Sequence, residues 1–392
     1  MMASTYKVRT RNEHFAADGP KRILALDGGG LKGIVTLGFL QRIEDALKER
    51  HGADSKFRLA HYFDLIAGTS TGAIIAAALA KGMTVAEVTD YYLTMGEKVF
   101  TRNWFRKGLI RARYDDRKLK KLMKDVLGAD TTLGDEGLQT GLLLMTKRMD
   151  TGSPWPLGNN PRGRYFAGSA EKNRVGNADY PLWQVVRAST AAPAFFDPET
   201  LTINEGGSRR RAVQGSFVDG GVSPFNNPAL QAFMYASLDG FRVNWPSGAD
   251  NLLIVSVGTG NADPEHTPSK IAAKGAIKAL LSLMDDCGAL VETMMQWMSS
   301  GTKVTYIDNE VGDLRDDLIA PAPLFTYVRY NISFEPDEVN RLKPGLSEKQ
   351  IASLSAMDET ENLSVWKELG EIASLEQVES IDFPNKFDLP KA

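Results

Sequence analysis

RILALDGGGLKG at residues 22–33 and FDLIAGTSTGAIIAAALA at residues 63–80 are the two stretches on which the fold turns. Each opens with a short apolar run of the kind that forms a buried parallel strand, breaks at glycines, and continues with helical spacing. After the first, Ile34, Leu37, Leu40, Ile43 and Leu47 recur on one helical face, and Gly52 can close that helix. After the second, the small apolar helix covers 73–80. Strand, helix, strand, helix in this order predicts an α/β fold with a mostly parallel central sheet.

Working outward, Thr84 with Glu87 forms a capping box that opens another helix. Asp115 or Asp116 opens the next, with Leu119, Leu122, Met123, Val126 and Leu127 on one face. Further strands are expected at 142–149, 212–218 and 252–257, and a helix over 269–298. Beyond 326–330, two helical stretches at 348–357 and 363–376 form a tail. The first twenty residues are polar, lack periodicity and read as a flexible arm. With no repeat and no Pro-, Gly- or Ser-rich linker, the expected organisation is an arm over 1–20, a catalytic domain over 21–300, and a helical extension over 301–392 packed on it.

Composition narrows the class. The 392 residues are 43% apolar and 24% charged, an ordinary globular mix that excludes collagen-like, disordered and disulfide-scaffold proteins. With 46 Lys and Arg against 49 Asp and Glu, a net charge of −3 makes no whole-chain case for a nucleic-acid partner. Cys287 is the sole cysteine, which leaves no intrachain disulfide and no thiolate metal cluster. The first fifteen residues lack a secretory apolar core, and the longest apolar run, 73–80, is too short to span a bilayer. A cytoplasmic protein, at most peripheral to the inner face of a membrane, is expected.

The five residues Gly68-Thr69-Ser70-Thr71-Gly72 match GxSxG, and their place between strand and helix is what raises the match above a common glycine turn. A nucleophilic serine needs a strained, sharp turn, and the flanking glycines leave room for it. Asp27 to Gly33, DGGGLKG, admits two readings. Gly28, Gly30 and Gly33 satisfy GxGxxG, the dinucleotide fingerprint, but Asp27 would face the pyrophosphate and no acidic strand end follows about twenty residues on. The other reading is an oxyanion hole, built from successive glycine N–H groups at a helix N-terminus. A serine also needs a base. Of the four histidines only His266 follows Ser70 in Ser-Asp-His order, and the carboxylate candidate is Asp219, at a strand end before Gly220-Gly221.

Taken together, DGGGLKG (27–33), GTSTG (68–72), RASTAAPAFF (187–196), DGGVSPFNNP (219–228) and VSVGTG (255–260) resemble the patatin-like phospholipases. The resemblance implies a three-layer α/β/α acyl hydrolase that works with a Ser-Asp dyad and no catalytic histidine. Carried over by position, it makes Ser70 the nucleophile, Asp219 the base, and Gly28, Gly29 and Gly30 the oxyanion loop. Lys32 stands at that loop's charged position, often arginine in the family, and would meet a lipid head-group phosphate without bidentate geometry. The implied reaction cleaves fatty-acyl esters of membrane lipids through an acyl-serine, with no cofactor and no metal.

Two rivals remain on the residues alone: a triad of Ser70, Asp219 and His266, and a non-catalytic module that holds a nucleotide or other anion on its glycine loops. Residues 98–121 carry ten Lys or Arg against Asp115 and Asp116, a local charge of +8, with Phe100, Trp104, Phe105 and Tyr114 interleaved. This mix suits peripheral contact with an anionic membrane. The extension is also a place where a small-molecule or protein activator would act.

Overall fold

The computed structural model describes residues 6–16, 18–52, 56–99, 116–193, 195–207, 211–261, 272–301, 303–307 and 312–391. In chain order the elements begin α1 (Arg11–Phe15), β1 (Lys21–Leu26), α2 (Gly33–Arg50), α3 (Leu59–Tyr62), β2 (Leu65–Thr69), α4 (Thr71–Ala80) and α5 (Val85–Val99). They continue with α6 (Asp116–Leu127), β3 (Gly141–Arg148), β4 (Ser153–Gly158), α7 (Leu182–Ser189), β5 (Glu199–Asn204), β6 (Val213–Asp219), α8 (Ala229–Ser237) and β7 (Leu252–Val257). The last are α9 (Ala272–Trp297), β8 (Ser299–Gly301), β9 (Phe325–Tyr330), α10 (Pro336–Leu342), α11 (Glu348–Ser353) and α12 (Leu363–Gln377).

The strands form one sheet in the order β5-β6-β3-β2-β1-β7-β9-β8, with β4 paired to β3. The central pairs β3·β2, β2·β1, β1·β7, β7·β9 and β9·β8 are parallel, while β3·β4, β3·β6 and β5·β6 are antiparallel. The mostly parallel α/β fold read from the sequence is therefore present. Every residue of β1, β2, β7 and β9 is buried, as expected of strands covered on both faces. One apolar cluster includes Leu24, Ile66, Leu144 and Val255; the other face holds Ile23, Ala67, Leu143 and Ile254. No helix among the described residues is long and apolar enough to cross a membrane.

Register on β3 positions the site. Strand β4 pairs with Leu143 through Arg148 along one edge of β3. On the other edge β2 runs as far as Thr69 opposite Met145, and β6, coming from the opposite direction, ends with Asp219 opposite Thr146. The two strands thus abut end to end on adjacent residues of β3. Ser70 and Asp219 lie at that junction.

Two expectations need correction. Residues 6–16 are docked, not loose: Tyr6, His14 and Phe15 are buried, Tyr6 Oη pairs with His61 Nδ1 at 2.8 Å, and His14 Nδ1 with Asp64 Oδ1 at 2.9 Å. Asp64 also takes the Arg22 Nε–H at 2.9 Å and the Arg9 guanidinium at 3.0 Å. Burial alone would raise its pKa, but the Arg22 charge, the His14 hydrogen bond and Lys21 hold it far below the usual carboxylate range. The anchors are spaced irregularly, so no periodicity announces them, and their partner lies fifty residues away. Nor does the sheet stop at residue 300, since β9 is hydrogen-bonded between β7 and β8. What remains of the tail, α12, lies across α2 so closely that a Cβ on Gly38 would stand 2.7 Å from the Gly370 carbonyl carbon.

Candidate active site

Ser70 caps α4 with φ 53° and ψ −121°, a strained conformation for a residue with a side chain. The local sequence explains how the chain reaches it. A Cβ on Gly68 would lie 2.3 Å from the Gly72 carbonyl oxygen, and one on Gly72 would lie 2.2 Å from that of Leu26, so only glycine fits on either side of the elbow. The Ser70 amide donates to Ser189 Oγ at 2.9 Å, and the Ser189 hydroxyl donates to Met145 O at 2.6 Å. This leaves the Ser70 hydroxyl to donate to Asp219 Oδ2 at 2.6 Å.

Asp219 is held on its other oxygen by the Gly221 N–H at 2.7 Å, and its own amide donates to Ala191 O at 3.1 Å. Burial pushes the carboxyl up to about 6, against the opposing pull of the Ser70 hydroxyl, the Gly221 amide and the Arg187 charge. Such a group is ionised at neutral pH yet more basic than an exposed aspartate.

The glycine loop lies beside this pair. Gly28 donates its N–H to Asn226 O at 3.2 Å and is therefore committed. Gly29 and Gly30 line the cavity at Ser70, and no acceptor for either amide is found among the described residues. Gly30, at φ 60°, packs so that a Cβ would stand 2.4 Å from Met357 O, which accepts the Leu31 N–H at 2.8 Å. The Tyr92 hydroxyl donates to Gly30 O and accepts from Thr71 Oγ1 at 2.6 Å, tying the loop to the elbow. Thr259 Oγ1 donates to Gly28 O at 3.2 Å, which gives VSVGTG its place.

Lys32 departs from expectation. It is buried off the cavity, its Nζ donating to Gly260 O at 3.2 Å and lying 5.6 Å from the centre of the Phe334 ring. It ends the single 3₁₀ turn Gly30–Lys32 and is absent from the lining of the cavity at Ser70. Burial lowers its pKa, opposed by Asp285.

A cavity stands over Ser70 and Asp219. Its walls are apolar, including Ile74, Leu119, Phe195, Leu281, Met284 and Met357, and none of the described histidines lines it. His266 lies outside the described residues, as does 100–115, the larger part of the basic stretch.

Sequence reading missed several supports. Tyr92 carries no pattern of its own; Ser189 and Asn226 lie inside RASTAAPAFF and DGGVSPFNNP, which marked the segments but not what these side chains do. Arg329 did leave a signal, a lone charge in the apolar run of β9. Its guanidinium reaches Asp27 Oδ2 at 2.7 Å, Ser256 Oγ at 2.8 Å and Glu292 Oε2 at 3.2 Å. Burial opposes its charge, but Asp27 and Glu292 outweigh that and raise its pKa.

The family model described as patatin-like phospholipase matches residues 24–233. The chain belongs to that family. As a patatin-like phospholipase it is a lipid ester hydrolase, and the matched span contains both the elbow and the Asp219 turn. A cGAMP-activated phospholipase of Escherichia coli (strain TW11681) is 26% identical over 264 residues, covering 66% of this chain and 68% of the relative. The cGAMP-activated phospholipase of Vibrio cholerae serotype O1 is 29% identical over 272 residues, covering 66% and 70%. Among solved structures, VipD from Legionella pneumophila aligns over 88% of this chain and 67% of its own, at 16% identity and a TM-score of 0.34.

Proposed function

We propose that this patatin-like phospholipase cleaves fatty-acyl esters of membrane lipids with a Ser70–Asp219 dyad, and that no imidazole takes part. The observation that carries the reading is the 2.6 Å hydrogen bond from the Ser70 hydroxyl to a carboxylate that burial has made basic. Asp219 takes the hydroxyl proton as Ser70 Oγ attacks the ester carbonyl. The tetrahedral oxyanion is received by the Gly29 and Gly30 amides, joined by the amide of Thr71, which follows the nucleophile at the head of α4. Protonated Asp219 gives its proton to the leaving alcohol, leaving an acyl-serine. Asp219 then activates water, and the acid is released. The apolar cavity accepts the acyl chain, and Gly28 braces the loop through Asn226 without donating to substrate.

Residues 98–121 bring the enzyme to anionic membranes in this reading. Within the described part, Lys118 and Lys121 are exposed on α6, whereas Lys120 is engaged by Glu199 at 3.0 Å. Changing Arg102, Arg106 and Lys107 to Glu is expected to lower binding to anionic vesicles and spare hydrolysis of a soluble ester. The bacterial relatives named as cGAMP-activated support an activator for this chain too, acting in the cytoplasm.

The test is a lipid panel read by mass spectrometry of free fatty acid and lysolipid, using wild type, Ser70→Ala, Asp219→Asn and His266→Ala. Release by wild type and His266→Ala, but by neither dyad variant, is the expected result. Loss of activity in a folded His266→Ala protein would replace the dyad with the triad.

A further inference from the structure

A second and larger cavity lies on the other side of the loop that carries Asn226, between β4, α8 and the segment 159–180. Its lining differs in kind from that at Ser70. At the mouth stand two guanidinium groups, Arg164 and Arg174, at 5.7 and 5.0 Å from the centre of one ring, Tyr165. The walls are aromatic, with Trp155, Tyr235 and Phe241. In the floor is Gln231, 5% exposed, whose side-chain amide has no hydrogen-bond partner among the described residues. None of the described lining residues is acidic.

Each feature selects part of a ligand. Two guanidinium groups at one ring, of which Arg174 commits Nη2 to Ala167 O at 3.2 Å, leave further N–H donors for an anion with several oxygens, phosphate above all. Flat aromatic walls fit a planar ring by stacking. A side-chain amide offering both donor and acceptor fits the hydrogen-bonding edge of a heterocyclic base. We infer that this cavity is a nucleotide-binding site, with phosphate at Arg164 and Arg174 and base against the aromatic walls at Gln231.

The position gives the site a route to the catalytic centre. Phe225 lines the second cavity and its neighbour Asn226 lines the first. Phe225 O accepts the Thr69 hydroxyl at 2.7 Å, one residue before the nucleophile. Asn226 exchanges two hydrogen bonds with Gly28, accepting its N–H at 3.2 Å and donating Nδ2–H to its carbonyl at 3.3 Å. A nucleotide pressing on Phe225 therefore bears on the elbow and the glycine loop together. This regulatory effect rests on the Ser70–Asp219 reading; binding itself does not.

The experiment is calorimetric titration of the full chain with 5′-GMP, ATP, a cyclic purine dinucleotide and inorganic phosphate, on wild type, Ser70→Ala, Arg174→Glu and Gln231→Leu. Saturable binding of at least one nucleotide is expected, unchanged in Ser70→Ala and weakened about tenfold or more in Arg174→Glu. Circular dichroism checks that the variants are folded, and Gln231→Leu, which leaves the charges in place, is expected to weaken nucleotide binding while sparing any residual phosphate binding. No saturable binding by any of the three nucleotides, or phosphate binding as tight as theirs, would overturn the proposal. If binding holds, the same nucleotide should change turnover of a soluble ester by wild type; binding without that change would remove the regulatory arm alone.

Discussion

Asp-Gly-Gly occurs at two strand ends in this protein, at 27–29 after β1 and at 219–221 in β6 and its turn, and the two aspartates have different neighbours. Burial pushes each carboxyl up to about 6. Asp27 meets the Arg329 guanidinium at 2.7 Å, a partner brought by β9 from outside the family-matched span. Asp219 meets a hydroxyl and a backbone amide, with no cation among the described residues in hydrogen-bond contact. A carboxylate locked to a guanidinium holds a loop in place, whereas one facing only weak donors remains able to take a proton. The same tripeptide thus serves as an anchor in one place and as a base in the other.

The sharpest way to break this comparison is to neutralise each aspartate in turn. Asp219→Asn should reduce turnover of a soluble ester by about 10⁴-fold or more, in line with loss of a base from a hydroxyl–base pair. Asp27→Asn should reduce it only about tenfold, since it loosens a support. Comparable losses in the two folded variants would put Asp27 in the chemistry.

Next in size is the glycine loop. Gly30→Ala meets both a positive φ and the Met357 carbonyl, and is expected to cost about 10²–10³ in kcat through displaced oxyanion donors. Gly52→Ala has a similar φ of 54° but nothing within 4 Å of its Cβ, so it should cost stability and leave kcat alone.

The pH profile sharpens the comparison further. Asp219 must be ionised to accept the Ser70 proton, so kcat/KM should fall about tenfold per unit below about 6 and level off above it. Linkage runs the opposite way for stability. A carboxyl raised in the folded state favours folding while protonated, and that contribution is lost as pH rises from its unfolded value toward about 6. Asp219→Asn can keep both hydrogen bonds, so at pH 7 it is expected to resist urea better than wild type, by on the order of 1 kcal/mol. A destabilised Asp219→Asn would place the carboxylate's value in structure.

The smallest expected effect on rate, though not on stability, comes from Arg329. Arg329→Met leaves buried Asp27 and half-buried Glu292 without their cation, which should destabilise the fold by about 3–5 kcal/mol. Adding Asp27→Asn should restore part of that loss, as denaturation midpoints would show. Turnover by the folded double variant should stay within about tenfold of wild type.

By itself the sequence determined the parallel α/β fold, because apolar runs and helical spacing are local signals that each element carries alone. It also determined the serine elbow, because a positive φ hemmed in by backbone admits glycine and little else on either side of Ser70. The family-bearing motifs were legible for the same reason: each is a turn whose backbone shape limits its residues. The sequence pointed to Asp219, but only the tertiary structure gave the reason that it and not Asp27 faces the serine: β2 and β6 meet on adjacent residues of β3. The tertiary structure alone showed that Gly28 is occupied, that Lys32 donates to Gly260, and that residues 6–16 are pinned at Asp64. These are contacts between residues dozens to hundreds of positions apart, and no periodicity or spacing records them. A charge's role is set by what folding places within about 3 Å of it.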